Sequence, residues 1–409
     1  MTEPALGESS IQETPAPADH PMKMLWASIV GYAVDGFDML LLSVALVSIT
    51  ASLKLTTGQA GSLASYTLFG AVVGGILFGM LSDRIGRVRV LTWTILLFAV
   101  FTGLCALAQD YTQMVILRFL AGVGLGGEFG IGMTLAAETW PAAKRARATS
   151  YVALGWQFGV LLASLSGLWL LPHLGWRGLF ALGVLPAVIA YLFRRKIGEP
   201  AMFTAATHKS VPISELWRDR ATVKISLGLI VLTSVQNFGY FGLMTWLPSY
   251  LAKHLHYGLT KTATWTSVTV LGMAVGIVVF GWIADRFGRR PALCGFQLGA
   301  AISVVAYSQL TSSGALLIGG AIMGFFVNGM LGGYGALLAE LFPTEARATA
   351  ENVLFNIGRG VGGFGPWLIG LLIAHYTFNS TIGFLGCIYL VALVTTVFLI
   401  PERRGVALV

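Results

Sequence analysis

Charge is what this chain has least of. Only 11% of its 409 residues are Asp, Glu, Lys or Arg, and 56% are hydrophobic; a soluble domain carries about 25% charged residues. So few charges cannot solvate the surface of a water-soluble fold, and a mean hydropathy of +0.78 points the same way. Cysteine is nearly absent too. Cys105, Cys294 and Cys387 stand alone in apolar stretches, which excludes a disulfide framework and a cysteine-built metal site. The six histidines are scattered, with His254 and His256 in an outer loop. No Ser-His-Asp set, metal cluster or phosphate loop is present, so an enzyme is disfavoured and neither a cofactor nor a metal is expected. Residues 1–22 lack aromatics, the basic start and the small-residue cleavage site of a signal peptide; their Pro, Ser, Glu and Asp predict a disordered tail.

What the chain does have is repeated apolar length. Spans are predicted near 24–49, 58–82, 88–108, 113–138, 149–171, 177–195, 224–251, 262–285, 291–310, 314–341, 348–375 and 380–400. Each can cross ~30 Å of hydrocarbon at ~1.5 Å per residue. The prediction is an all-α membrane protein of twelve transmembrane helices. Fifty-one glycines suit close helix packing in lipid, and abundant Trp and Phe suit anchoring at the interface. The net charge of +8 reads as a loop bias rather than a nucleic-acid surface, because 20 of the 26 Lys and Arg fall in segments on one side of the predicted spans. By the positive-inside rule that side, with both termini, faces the cytoplasm, which predicts a multi-pass membrane protein. The predicted units are a tail at 1–22, a six-helix bundle at 23–195, a cytoplasmic linker at 196–223, a second bundle at 224–400 and a tail at 401–409. Part of the linker, VPISELWRDR, suits an amphipathic helix.

The two halves are related. FGMLSDRIGRVRVL (78–91) aligns with FGWIADRFGRRPAL (280–293), and AETWP (137–141) with AELFP (339–343), both at an offset of 202. RAT at 147–149 matches RAT at 347–349 after a two-residue deletion. The matched segments fall on the same side, so the repeat is parallel, about an axis along the membrane normal. The duplicated motif holds Gly79, Asp83, Arg84, Gly86 and Arg87 in one copy and Gly281, Asp285, Arg286, Gly288 and Arg289 in the other. Glycine permits tight contact and a sharp turn. The aspartate can take up the arginines of its own loop and cap neighbouring helix ends. With Glu138 and Glu340 of the second repeated segment, this makes a candidate conformational latch.

In this motif the chain resembles the major facilitator superfamily, whose signature loop joins the second and third helices and recurs between the eighth and ninth. The resemblance extends over nearly the whole chain after residue 22. It implies two six-helix bundles related by a pseudo-two-fold axis, around a central cavity that opens alternately to each side.

Five ionisable residues fall inside predicted spans, where an unpaired charge costs several kcal/mol and each is a functional candidate. Asp35 and Asp38, in VDGFD, share one helix face at i, i+3. Two close carboxylates disfavour double ionisation, which suits reversible protonation. Arg118 and Glu128 lie in RFLAGVGLGGEFG and Arg359 in NIGRG. Counting ~1.5 Å per residue places Asp35, Glu128 and Arg359 ~16–22 Å from one face, near the midplane. Asp38 and Arg118 lie further out and meet only if the arginine side chain reaches across. The assigned work is proton carriage by Asp35, Asp38 and Glu128, switching by Arg118, and carboxylate binding by Arg359. GVGLGG also matches a dinucleotide fingerprint, but no strand precedes it. In the second half Asn237 stands for Asp35 and Tyr240 for Asp38; with Asn328, Tyr334, Asn352, Asn356 and Arg359 they are candidate substrate residues. Trp156 and Gln157 are candidates for the first-half wall.

DGFD resembles the aromatic acid:proton symporters, whereas RFLAGVGLGGEFG, AETWP and NIGRG are more similar to the sialate and other metabolite:proton symporters. Glu128-Phe129-Gly130 departs from the aromatic-acid pattern. Both groups import organic anions with protons. The expected function is therefore proton-coupled symport of a small organic anion by a monomer in the bilayer, with no nucleic-acid partner. A sugar or other metabolite porter, a drug/proton antiporter and a non-transporting sensor are the alternatives.

Overall fold

In hydrocarbon every backbone N–H and C=O must be bonded within its own segment, so apolar stretches of this length fold as helices. The computed structural model describes residues 21–194, 197–205, 213–253, 255, 257–404 and 408, and among them there is no strand. The first three spans are α1 (Pro21–Leu53), α2 (Thr57–Ile85) and α3 (Arg87–Cys105). The fourth comprises α4 (Tyr111–Leu125) and α5 (Glu128–Thr139), the fifth is α6 (Arg145–Trp169), and the sixth comprises α7 (Leu171–Leu182) and α8 (Val184–Arg194). Beyond the short α9 (Ala201–Ala205) come α10 (Arg220–Lys253), α11 (Leu259–Phe287) and α12 (Arg289–Ser308). The tenth span is α13 (Ser313–Gly329) with α14 (Leu331–Leu341), the eleventh α15 (Arg347–Gly362) with α16 (Gly365–His375), and the twelfth α17 (Phe378–Leu399).

Among the described residues, ten spans are long and apolar enough by themselves to cross a membrane. The sixth and eleventh are the other two. The sixth turns at Gly175, which sits at φ 64°; the eleventh carries Arg347, Glu351 and Arg359 with two asparagines on one face. Residues 1–20, 195–196, 206–212, His254, His256, 405–407 and 409, which include parts of both tails and of the linker, lie outside the described residues. Within the linker, Ile213–Trp217 forms a 3-10 turn with Leu216 buried, in place of an amphipathic helix.

The 202-residue repeat governs the packing. Gly70 and Gly74 of α2 lie against the carbonyls of Phe119 and Val123 on α4. At the same offset, Gly272 and Gly276 of α11 lie against Ala321 and Phe325 of α13. A side chain at any of these positions would enter the neighbouring backbone, so glycine sets the helix separation. The halves meet through α2 against α15, α6 against α11 and α14, and α5 against α14 and α15. The motif glycines explain themselves. Gly86 (φ 125°) is the one-residue turn between α2 and α3, and Gly288 (φ 109°) is that between α11 and α12, a conformation that disfavours any Cβ.

Two sequence expectations need correction. Arg194, one of the 20 bases counted on the cytoplasmic side, ends α8 and is fully buried inside the first half. The deletion that aligned the two RAT triplets is also wrong: Arg347 occupies the place of Arg145, not Arg147. Asp285 accepts from the backbone N–H of Ala146 and Arg147, as Asp83 does from Ala348 and Thr349, so the offset of 202 continues unbroken.

Candidate functional site: a central cavity above a sealed ionic gate

The loops bearing the duplicated motif share one face of the molecule, here the basic face. There two related clusters bridge the halves. In the first, Arg87 bonds Glu138 in a bidentate way (3.2 and 3.1 Å) and lies 3.1 Å from Asp83. Arg347 of the opposite half reaches Glu138 at 2.8 Å. In the second, Arg289 bonds Glu340 (3.0 and 2.8 Å) and Arg145 reaches Glu340 at 2.8 Å. Asp83 caps α15 and Asp285 caps α6 through the N–H groups already named, a favourable place for a carboxylate. These residues are nearly all buried, so each charge is matched by an opposite one. Of the sequence candidates, Arg84 and Arg286 do not join the clusters: both are exposed. Two acids that the sequence did not single out do join. Glu199 bonds the N–H groups of Val88 and Arg89, and Glu402 those of Arg289 and Arg290, closing the starts of α3 and α12. Their signal in the sequence is faint, a lone glutamate just past each bundle.

Above the clusters the seal continues. Gly79 and Gly130 pack on Asn352, and Gly281 and Gly332 on Ser150. Asn356 donates to the Gly126 carbonyl across the halves (2.9 Å). Phe129 and Phe355 stack with centroids 3.5 Å apart. This barrier closes the basic face.

Beyond the aromatic stack lies a tight cavity of about 10 Å³, roughly the room of one water molecule, lined by Tyr32, Trp156, Asn237, Tyr240, Phe355 and Arg359 among others. Arg359 is its charge. The Nη2 of Arg359 donates to Asp35 Oδ2 at 3.2 Å across the halves, and its guanidinium lies 5.3 Å from the Trp156 ring. Nε and Nη1 of Arg359, and Oδ1 of Asp35, have no hydrogen-bond partner among the described residues. Trp156 donates to Tyr240 (2.9 Å), a second bond across the halves. Gln236 donates to Asn328 (2.9 Å) in the second-half wall. The 202 offset relates Asp35 to Asn237 and Arg359 to Gln157. An ion pair on one diagonal of the pseudo-two-fold axis is thus matched by two amides on the other, and both polar atoms of Gln157 lack a partner among the described residues.

Such a duplicated helical carrier with its ionic gate can be compared with known proteins. The profile described as Major Facilitator Superfamily matches residues 28–268 and 251–408. The chain belongs to the major facilitator superfamily. It is a membrane-spanning transporter and not an enzyme. A Haemophilus influenzae protein named for metabolite transport is 59% identical, over 94% of this chain and 97% of that one. The cis,cis-muconate transport protein of Acinetobacter baylyi is 32% identical, over 91% of this chain and 92% of that one. The solved structure of the proton:xylose symporter XylE bound to 6-bromo-6-deoxy-D-glucose superposes with a TM-score of 0.82 at 19% identity, covering 95% of this chain and 98% of that one. At that identity the likeness is one of fold.

Within this superfamily member the remaining candidates divide. Trp156, Asn237, Tyr240, Asn328 and Arg359 line the cavity; Tyr32, Gln236, Phe241, Leu331 and Phe355 line it too and were missed. Tyr32 and Phe355 were findable as the i−3 and i−4 neighbours of Asp35 and Arg359. Tyr334 is buried away from the lining, donating to the Leu232 carbonyl (3.3 Å), and Asn352 and Asn356 belong to the barrier. Asp38 and Arg118 do meet, in a bidentate pair (3.2 and 2.8 Å) completed by Thr102 and Thr67. Glu128 reaches neither Asp35 nor the cavity lining; it is held by Arg194 (3.2 and 2.9 Å) and Thr94 (2.7 Å).

The gate yields a prediction. Glu138→Gln combined with Glu340→Gln removes the shared negative charge of both clusters and turns one oxygen of each into a donor facing the arginines. Each broken buried charged hydrogen bond costs about 2–5 kcal/mol. The sealed form is expected to lose at least tenfold in population, read from spin-label distances between exposed Arg84 and Arg286 positions in a cysteine-free background. An unchanged distance distribution counts against the latch.

Proposed function

We propose that this transporter is a proton-coupled symporter that imports a small organic carboxylate into a bacterial cytoplasm by alternating access, with the basic face cytoplasmic. One observation carries the reading: a fully buried guanidinium in the central cavity with two donors open and one first-half carboxylate as its charge partner. An arginine in a dry site binds carboxylate through two parallel hydrogen bonds. When Asp35 takes a proton, Arg359 is left without its counter-ion, and a substrate carboxylate restores neutrality. The loaded site and the Asp35–Arg359 pair are both balanced, while a carrier holding only one of proton and substrate leaves a charge uncompensated in low dielectric. Protonation of Asp38, with release of Arg118, is the second coupling step of the same logic. The aromatic walls suit an unsaturated or ring-bearing acid, for which the closed cavity must widen. Glu128, where the sequence departs from the aromatic-acid symporters, is consumed by Arg194 outside the cavity lining, so it is no objection to such cargo. The names of the relatives, metabolite and muconate transport, agree with this class.

The test is uptake into proteoliposomes with an imposed proton gradient, over a panel of monocarboxylates, aromatic acids, muconate, sialic acid and neutral sugars. Accumulation of small carboxylates that collapses when the gradient is dissipated is expected. Accumulation confined to neutral sugars refutes the proposal. Asp35→Asn is expected to abolish gradient-driven accumulation while retaining carboxylate exchange, because a permanently neutral residue 35 leaves Arg359 to the substrate. Retained uphill uptake in this variant removes Asp35 from the coupling.

A further inference from the structure

Glu351 is fully buried on α15, and among the described residues neither of its carboxylate oxygens has a hydrogen-bond partner. It sits one turn beyond Arg347, just above the first gate cluster. Thr134 of α5 faces it, and the Oγ1 of Thr134 is also without a partner. The charges around it are Arg347 on its own helix, Glu138 on α5 and Asp83 on α2, with Arg87 of α3 joined to both acids.

That cluster is already neutral. Asp83 and Glu138 carry two negative charges, Arg87 and Arg347 two positive ones, and the bonds among them are made. An ionised Glu351 is a fifth charge beside a cluster whose charges already cancel, fully buried and, among the described residues, faced only by the Thr134 hydroxyl, and the cost of several kcal/mol is avoided when the group is neutral. The pseudo-symmetric cluster shows that the seal itself needs no carboxyl here. At the offset of 202, Glu351 corresponds to Thr149, whose hydroxyl bonds the Arg145 and Ala146 carbonyls of its own helix; Thr134 corresponds to Ala336. The same barrier is thus built once with a carboxyl and once without.

We propose that Glu351 is a proton-binding site that locks the gate, occupied while the basic face is sealed and emptied when it opens. On opening, α15 leaves α5 and Arg347 loses Glu138, which belongs to the other half. Glu351, at i+4 on the same helix, is then the carboxylate within reach of Arg347. It ionises, its proton passes to water at the basic face, and the pair Arg347–Glu351 replaces Arg347–Glu138. Closure reverses each step. The gate therefore responds to the pH of the water on the basic face, and acidification there holds the carrier sealed. This inference rests on the alternating-access reading but not on the identity of the cargo, nor on Asp35.

The experiment measures opening without substrate. Spin labels at exposed Arg84 and Arg286, in an otherwise cysteine-free carrier in lipid nanodiscs, report the separation of the halves as pH is varied. In the parent carrier the open-to-sealed ratio is expected to rise with pH, approaching tenfold per unit over the range in which one proton is released. Glu351→Gln, which keeps the shape of the neutral acid, is expected to stay sealed and to flatten the titration. Glu351→Asp, the second variant, keeps the titration but moves its midpoint. A parent titration that persists unchanged in Glu351→Gln, or an unmoved midpoint in Glu351→Asp, overturns the proposal. Failure of carboxylate uptake in the transport assay leaves this titration readable, so the two proposals fail separately.

Discussion

Replacing Arg359 with alanine is expected to abolish substrate binding, by a factor of about 30 to several thousand. The range follows from the cost of truncating one partner of a buried charged pair, about 2–5 kcal/mol, at about 1.4 kcal/mol per tenfold. Two effects add. The substrate loses a bidentate donor, and Asp35 loses the only counter-ion it has among the described residues. Arg359→Lys should recover little, because an ammonium offers no planar fork and does not stack on Trp156 in the same way. Combining Arg359→Ala with Asp35→Asn should restore fold stability without restoring binding, since it removes the stranded charge but not the missing donor. Calorimetric or fluorescence titration of the purified carrier reads the affinity. An affinity within threefold of the parent in Arg359→Ala would show that the cargo is anchored elsewhere.

Arg194→Leu is expected to be the most destabilising single change in the first half, at about 3–5 kcal/mol, because it strands a buried carboxylate. The guanidinium of Arg194 holds both oxygens of Glu128 and the carbonyls of Ala27 and Leu91, tying α8 to α1, α3 and α5. The apparent unfolding temperature in detergent should fall by on the order of 10 °C. Adding Glu128→Gln should recover most of the loss, since the uncompensated charge is then gone. The same geometry predicts that Glu128→Gln alone leaves proton-driven accumulation in place, in contrast to Asp35→Asn. Gly31 belongs to this arrangement: a Cβ there would enter the Arg194 guanidinium. If Arg194→Leu melts with the parent protein, the pair is not a structural tie.

The 202 offset explains why two halves of common design do different work. In the first half Glu128 is paired with Arg194 and Asp38 with Arg118. The corresponding second-half positions hold Met330 with Thr396 and Tyr240 with Gly320. Thr396 settles for a neutral bond to Gln297 (2.9 Å). The first half therefore holds two buried ion pairs of its own at these positions, while the second half adds amides and aromatics around Arg359.

Apolar length, base distribution and the internal repeat were enough to read the twelve spans, the duplicated turn and the acids of the gate clusters, though not Arg145 and Arg347, which tie those acids across the halves; what was legible rests on local chemistry: hydrocarbon needs helices, a one-residue turn needs glycine, and a helix start attracts a carboxylate. Composition alone also isolated the handful of ionisable side chains in lipid. Which of them face one another was decided only by the tertiary structure, since a helix places its residues by rotation and by the neighbour it meets, neither of which a single sequence encodes locally. Folding gave Arg359 to Asp35 and left its other donors open to the cavity. It gave Glu128 to Arg194, an arginine that looked like a loop residue, and left Glu351 without a partner beside a cluster whose charges already cancel. A buried charge takes its role from the charges around it, and those come from distant parts of the chain.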